Sequence, residues 1–502
     1  MASAFRRKSK EKKRDPAKVR DTTGGFRLQA EVEVYNRRIQ PPSKKFDRSI
    51  VEGPIARAVW RLAWPTVIQN MIGGLQGIVD HVMVGHYVGF TGNAAIGVGW
   101  QIFLVVVVFI SSLFTGMGVL VARFAGANDP DKVNRVVYQA FLTAVILGIG
   151  VLAPIGYVVS PSLLELVHAS PEVRAAALPY LRTMFVFSIG QLLYFMIAGA
   201  LRAAGDAKTG LRIGLWIVGL NIALNMVLIR GMGPIPSFGA QGAALGTCIA
   251  SAIASGVGIW LMATGRVVVS FIGVPRKPDL RIIRSLFRFG LPAGVQGVAM
   301  NVAGVLLLRF IGSLPYSAEA QAAYAVCYTE LFSLITWTSV GLMGAAAAIA
   351  GQNLGAGRPE RSTQAVQVAA GFGLMIAATI GVIFLAFSAQ LLAFFGLTDP
   401  HVVAIGRQLL RYLAVSGLFI TVALTYTGGL QGTGDTRSPL FITLIAQVGV
   451  PLGLCFYLQA VGQLQASGIW LAIVLGHLTR CVLTMARFYQ GRWKTIAIDL
   501  GH

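Results

Sequence analysis

One carboxylate in this chain stands where hydrocarbon is expected. Asp80 lies in WPTVIQNMIGGLQGIVDHVMVG, residues 64–85, an apolar run long enough to cross a bilayer. An ionisable side chain inside such a run costs about 2.5–3.5 kcal/mol even on the insertion scale, so a functional role is its default reading. Withdrawal from water disfavours the charged form. A carboxylate so placed can take up H⁺ or Na⁺ and couple that event to a change of shape. Gln69, Gly73, Gln76 and Asp80 follow i, i+4, i+7, i+11 spacing and share one helical face. This polar stripe is expected to face a cavity. Pro65 cannot donate its i→i−4 hydrogen bond and crowds the preceding turn, while Gly73, Gly74 and Gly77 soften the helix beyond it. A working hinge is expected at Pro65.

Further along, Asn221 and Asn225 are again four apart and share a face. Two amides in hydrocarbon need partners, and they suit a carboxylate and a bound cation as neighbours; interhelical hydrogen bonding is the plainer alternative. Thr247 is a weaker member of the same group. Apart from loop and span-end positions and the N-terminal tail, Glu330 is the other embedded acid, about ten residues into its span, near mid-membrane at 1.5 Å per residue. Arg182, Arg411 or Arg480 could pair with it in a structural ion pair. Tyr324, Tyr328 and Trp337 offer aromatic surface suited to an organic cation, although packing or belt roles are the commoner use. The substrate-cavity candidates are Gln69, Gln76, Thr247 and Glu330, and the cation-coupling candidates Asp80, Asn221 and Asn225.

No enzyme signature is present. The chain lacks a P-loop, HExxH and GxSxG, and its six histidines are scattered, with His81 and His86 a pair of undefined role. Cys248, Cys327, Cys455 and Cys481 fall in apolar spans without CxxC or Cys/His spacing, so neither a disulfide framework nor a metal site is implied. The formal charge of +22 and the stretch RRKSKEKKR could suggest nucleic acid. A basic membrane flank touching anionic lipid is the better reading, and residues 1–50 carry no apolar stretch of a cleaved signal.

The elements that hold these residues are membrane helices. At 502 residues, 55% hydrophobic and 12% charged, with mean hydropathy +0.68, the chain has too little polar surface for a soluble globule. Twelve apolar runs centre near residues 73, 109, 146, 188, 220, 251, 298, 335, 374, 418, 450 and 477. They show none of the period-2 alternation of a membrane β-barrel. Of the 42 Lys and Arg residues, 17 precede residue 62 and 18 more fall in loops on the same side if the spans alternate. The positive-inside rule therefore places both termini in the cytoplasm.

The two halves are a duplication. LRAAGDAKTGL at 201–211 aligns with LQGTGDTRSPL at 430–440, and Gly126/Gly355, Pro130/Pro359 and Arg182/Arg411 share the offset of 229. Pro65/Pro292, Gln69/Gln296 and Gly77/Gly304 are 227 apart. The expected fold is an all-α polytopic membrane protein of twelve transmembrane helices, two six-helix bundles around a central cavity. Six is even, so the halves share one topology, with sites at the repeat interface. Expected boundaries are a disordered basic tail at 1–55, an N-lobe at 56–265, a linker at 266–283, a C-lobe at 284–493 and a short C-terminus at 494–502. The loops ANDPDKVNR, AGRPERSTQ, GDAK and GDTR read as helix caps and lipid-facing charge. Asp80 has Leu307 as its mate and Glu330 has Gln101, so the halves are chemically unequal.

These features resemble the multidrug and toxic compound extrusion family, MATE. The resemblance rests on the first-span stretch, the tandem halves, LRAAGD/LQGTGD, and NIALNMVLI followed by GAQGAALGT, and covers about residues 55–490. It implies a two-lobed secondary transporter in the cell membrane, without cofactor, that antiports small organic and often cationic compounds against H⁺ or Na⁺. It also assigns the family's first-span aspartate to Asp80, with Na⁺ as one candidate ion there, its kink proline to Pro65 and its fifth-span polar positions to Asn221 and Asn225. Two departures stand out. Some members have an aspartate where Asn225 stands, and others a glutamate where Met300 stands, with Asn301 next. A monomer is expected, with anionic lipid at the basic tail and no nucleic-acid partner. The alternative is a lipid or lipid-linked oligosaccharide flippase of the same superfamily fold.

Overall fold

The computed structural model describes residues 46–167 and 169–498, with Ser111 described by its backbone alone. Most of the expected basic tail, residues 1–45, lies outside the described residues.

Among the described residues twelve helical crossings follow in chain order: α1 Ile55–Tyr87, α2 Phe90–Gly126, α3 Pro130–Leu166, α4 made of Pro171–Val186 and Ile189–Ala203, α5 Ala207–Arg230, α6 Gly239–Ala263, α7 Leu280–Gly312, α8 Ser317–Gly355, α9 Pro359–Ala386, α10 Pro400–Thr433, α11 Arg437–Ala460 and α12 Ala466–Tyr489. Ten are long and apolar enough to span a bilayer by length and composition, and the two parts of α4, bent by 51°, bring the number to eleven. The crossing that falls short is α1. Its 33 residues reach about 50 Å at 1.5 Å each, but the stripe containing Gln69, Gln76 and Asp80 dilutes its apolar content. Three crossings carry a π-helical turn that sequence gives no sign of, at Ile146–Leu152, Ala325–Leu331 and Leu444–Gly449.

Burial is organised as one core per bundle and a third between them. The first gathers residues such as Phe103, Phe185 and Met196, the second Leu409, Trp470 and Ile473. The third joins Val59, Leu62 and Ala63 of α1 to an alanine-rich face of α8, including Ala345, Ala346 and Ala350. Small side chains are what close approach of membrane helices requires.

The duplication is visible residue by residue. Asp206 caps α5 by accepting from Thr209 N at 3.1 Å and Oγ1 at 2.7 Å, and its mate Asp435 accepts from Ser438 N at 3.2 Å and Oγ at 2.9 Å. The preceding glycines, Gly205 and Gly434, both take left-handed backbone, φ 99° and 102°, which a side chain would oppose. Where α2 and α8 cross, Gly126 abuts the Gln352 carbonyl and Gly355 abuts the Arg123 carbonyl. Gly126/Gly355 and Arg123/Gln352 are mates, so the crossing is pseudo-symmetric, each partner using the same patch. This crossing, together with Gly116 and Gly290 at the α2–α7 contact, closes the lobes against each other on the side of the basic loops.

The expected disorder does not extend to residues 46–53. Ser49–Glu52 form a short helix whose Ile50 and Val51 are buried. Arg358 donates to the Val51 carbonyl at 2.6 Å and Arg361 to the Gly53 carbonyl at 2.8 Å. The reason is the pair of apolar residues next to a free backbone turn, which a charge count overlooks. At the other end Trp493 is buried, and Arg123 donates to the Ile496 carbonyl.

Candidate functional site

Asp80 stands on the last third of α1, facing α5. Asn225 Nδ2 donates to its Oδ1 at 2.7 Å. Asn225 and Asn221 are both fully buried, and their side chains meet at 3.3 Å. Exchanging the nitrogen and oxygen of the Asn221 amide satisfies Asp80 and Thr247, at the expense of the 3.3 Å bond from Asn225 Nδ2. The Asn221 nitrogen then donates to Asp80 Oδ1 at 3.1 Å, and its oxygen accepts from Thr247 Oγ1 at 3.0 Å and from the Thr247 backbone nitrogen at 3.2 Å. An N–H of Thr247 can only donate and an ionised carboxylate only accept, which selects this orientation. The amide of Gln76 lies 3.2 Å from the same Asn221 nitrogen. The structure thus brings together Asp80, Asn221, Asn225, Thr247 and Gln76 from three helices.

One lone pair in this group is unanswered. Asn225 Oδ1 is buried without a hydrogen-bond partner and points at Gly246 of α6, where any Cβ would overlap it. Gly246 is a residue that sequence reading passes over; its signal is the small-residue run GAQGAALG, which there serves a close approach of side chain to backbone. An unpaired buried carbonyl costs about 1–3 kcal/mol.

Gln69 belongs to a neighbouring arrangement. Its amide donates to the Tyr194 hydroxyl at 2.6 Å. Gln69, Gly73, Gln76 and Tyr194 line a cavity of about 50 Å³ between α1 and α5. Gln69, Gly73 and Gln76 of the polar stripe therefore face a cavity, while Asp80 stands outside its lining. From the other lobe, the Trp337 indole lies against Gly74, where a Cβ would overlap the ring. Pro65 is buried within an uninterrupted α1, and the Thr66 hydroxyl donates back to the Leu62 carbonyl. Before Pro65 the helix packs in the core between the lobes; after it, Gln69 and Asp80 bond to α4 and α5 of their own lobe. Contacts with α8 of the other lobe continue past the proline, where Val67 lies against Gly341 and Gly74 against Trp337.

Glu330 does not join this group. It lies in the π-helical turn Ala325–Leu331 of α8 and is only partly buried. Among the described residues no ion pair involves it. The three arginines considered as partners are engaged or placed elsewhere. Arg182 stacks 4.3 Å over the Tyr157 ring, Arg411 is exposed, and Arg480 donates to Met300 Sδ at 3.8 Å. A π turn shifts the register by one residue, which changes the face on which Glu330 stands relative to an ideal helix. His81 meets Asn93 Oδ1 through Nδ1 at 2.5 Å. The four cysteines are unpaired and buried, and among the described residues no group of three or more His, Cys, Asp or Glu could hold a metal ion.

Comparison with known proteins follows the same division into halves. Similar chains include the probable multidrug resistance protein YoeA of Bacillus subtilis (strain 168), 26% identical, with 87% of this chain and 95% of that one aligned. The probable multidrug resistance protein NorM of Thermotoga maritima is 25% identical, over 88% of this chain and 94% of that one. A solved structure described as the outward-facing conformation of a multidrug resistance MATE family transporter of the MOP superfamily has the same fold, TM-score 0.82 at 21% identity, covering 90% of this chain and 100% of that one. The sequence model of the family MatE matches twice, over residues 65–227 and 292–456. Each match begins at one of the mated prolines, Pro65 and Pro292, and together they take in well over half of the sequence: the chain belongs to the MatE family.

Proposed function

We propose that this protein exports small organic compounds, many of them cationic, across the cell membrane in exchange for H⁺ or Na⁺. Family membership supports a transport rather than an enzymatic role. The observation that carries the coupling is the amide-ringed carboxylate of α1. Asn225 and Asn221 both present N–H groups to Asp80, an arrangement suited to a bare carboxylate. An amide turned over offers its oxygen instead, and Asn225 Oδ1 is the oxygen now without a partner. Asp80, Asn221, Asn225 and Thr247 can therefore serve either the ionised acid or a hard cation or proton bound to it. Neutralising Asp80 removes the charge that draws N–H donors and cationic cargo. We assign the resulting rearrangement of α1 to Pro65, which lacks the N–H of the i→i−4 bond and is followed by Gly73, Gly74 and Gly77. Trp337 and Tyr194 add an aromatic surface for a cationic ring system, and both termini lie in the cytoplasm on the charge count.

The test is efflux of ethidium from vesicles carrying the protein, under an imposed H⁺ gradient and then a Na⁺ gradient. Asp80→Asn is expected to abolish gradient-driven efflux. Full coupled efflux in Asp80→Asn would refute the reading.

A further inference from the structure

The C-lobe answers the acid of the N-lobe with a base. The mates of Asp80, Asn221, Asn225 and Thr247 are Leu307, Val450, Leu454 and Gly476, so the equivalent place in the C-lobe is apolar. One helical turn beyond Gly476, on α12, stands Arg480, 1% exposed. Its Nη1 has only the Met300 thioether at 3.8 Å, and its Nε has no partner. Among the described residues it makes no ion pair. The neighbouring basic group, His477, is also buried and is taken up by the Ser416 hydroxyl.

A guanidinium carries five donors and keeps its charge. Burying it without a counter-ion costs several kcal/mol, and among the described residues no acid pairs with it to offset that cost. The wall beside its helical neighbour His477 is firm: Tyr324, Tyr328 and Phe332 stack in succession, with Phe332 on the His477 ring. The cover is not. Met300 is 37% exposed, and its mate is Gly73, which lines the N-lobe cavity. A thioether is a weak acceptor on a flexible stem, so it is displaced readily by a better one.

We propose that Arg480 receives the carboxylate of an anionic or zwitterionic organic cargo, with Met300 as its displaceable cover. This rests on the export reading and narrows its substrate class: a molecule with a carboxylate for Arg480 and a basic or aromatic portion for the N-lobe. The planar fork of arginine suits a carboxylate by two parallel hydrogen bonds.

The experiment compares norfloxacin with its methyl ester on the purified full chain, reading affinity by quenching of tryptophan fluorescence, with ethidium as a probe that has no carboxylate. The acid is expected to bind about 10-fold tighter than the ester, the equivalent of one charge-assisted contact. In Arg480→Gln the acid falls to the affinity of the ester, while ester and ethidium binding stay unchanged. Equal binding of acid and ester by the unaltered protein overturns the proposal, and that comparison decides the matter alone if Arg480→Gln does not fold. A preference that survives Arg480→Gln overturns it as well, as does loss of all three probes together, which marks a structural arginine. Abolition of the acid preference by chloride at concentrations that leave ester binding unchanged would assign Arg480 to a free anion and also overturn it. Ethidium efflux under a gradient reports on the export reading separately, since ethidium never engages Arg480 in this scheme.

Discussion

Alanine at Gly355 or Gly126 should open the protein on the side of the basic loops. A methyl at Gly355 would run into the Arg123 carbonyl, and one at Gly126 into the Gln352 carbonyl. Inside a helix, Gly→Ala ordinarily stabilises by up to about 1 kcal/mol. Here the obstacle is backbone on a packed neighbour, which cannot rotate aside, and overpacking of that kind costs about 1–3 kcal/mol. The overlap outweighs the propensity gain at each site, and its full size, about 1–3 kcal/mol, is what bears on the balance between arrangements. The penalty exists only while α2 and α8 touch, whereas the propensity gain applies in every arrangement. The substitution therefore shifts the balance towards states in which those helix ends part, by roughly 5-fold per kcal/mol. Spin labels at Asp131→Cys and Glu360→Cys, exposed positions beside the two helix ends, report the separation by pulsed electron resonance. The native cysteines are buried and stay unlabelled. A longer-distance population should grow in Gly355→Ala and Gly126→Ala, and grow further in the pair. An unchanged distance distribution in all three, with the protein still folded, would refute the assignment of this crossing as the closed face.

Two other substitutions test different parts of the structure. Gly246→Ala places a methyl on Asn225 Oδ1 and so should displace the amide from Asp80; gradient-driven ethidium efflux is expected to fall at least about 10-fold while the melting temperature in detergent changes little, and efflux at the native rate would count against the cation site. Asp206→Ala and Asp435→Ala both remove a helix cap worth about 1 kcal/mol, but Asp435 also holds Arg487 at 2.9 Å while only 6% of its side chain is exposed; its melting temperature should therefore drop further than that of Asp206→Ala, and equal losses would show that the ion pair adds nothing.

What sequence discloses and what it hides in this protein follow from how each feature is encoded. Spacing along one helix survives folding unchanged, so the face shared by Gln69, Gly73 and Gln76 could be read directly, and it lines the α1–α5 cavity. The duplication was legible for the same reason: turn chemistry is local, and the GD pairs of the two halves set identical caps with identical left-handed glycines. Features built by two helices from different places in the chain left only faint traces. The role of Thr247 as partner of Asn221 depends on how α5 meets α6, and the contact of Trp337 with Gly74 depends on how the lobes meet. Glu330 marks the limit of local spacing, since it lies in a π turn that an ideal-helix count does not include. Arg480 is the most instructive. In sequence it is one of seven basic residues outside the positive side, and an arginine in a span invites a search for its acid. The structure shows it against the Met300 thioether, with no ion pair among the described residues. Duplication made two equal halves, and substitution at a few interior positions then gave one a carboxylate ringed by amides and the other a bare guanidinium. If Arg480 receives cargo as proposed, such halves would distinguish its two ends by charge, which two identical lobes could not do.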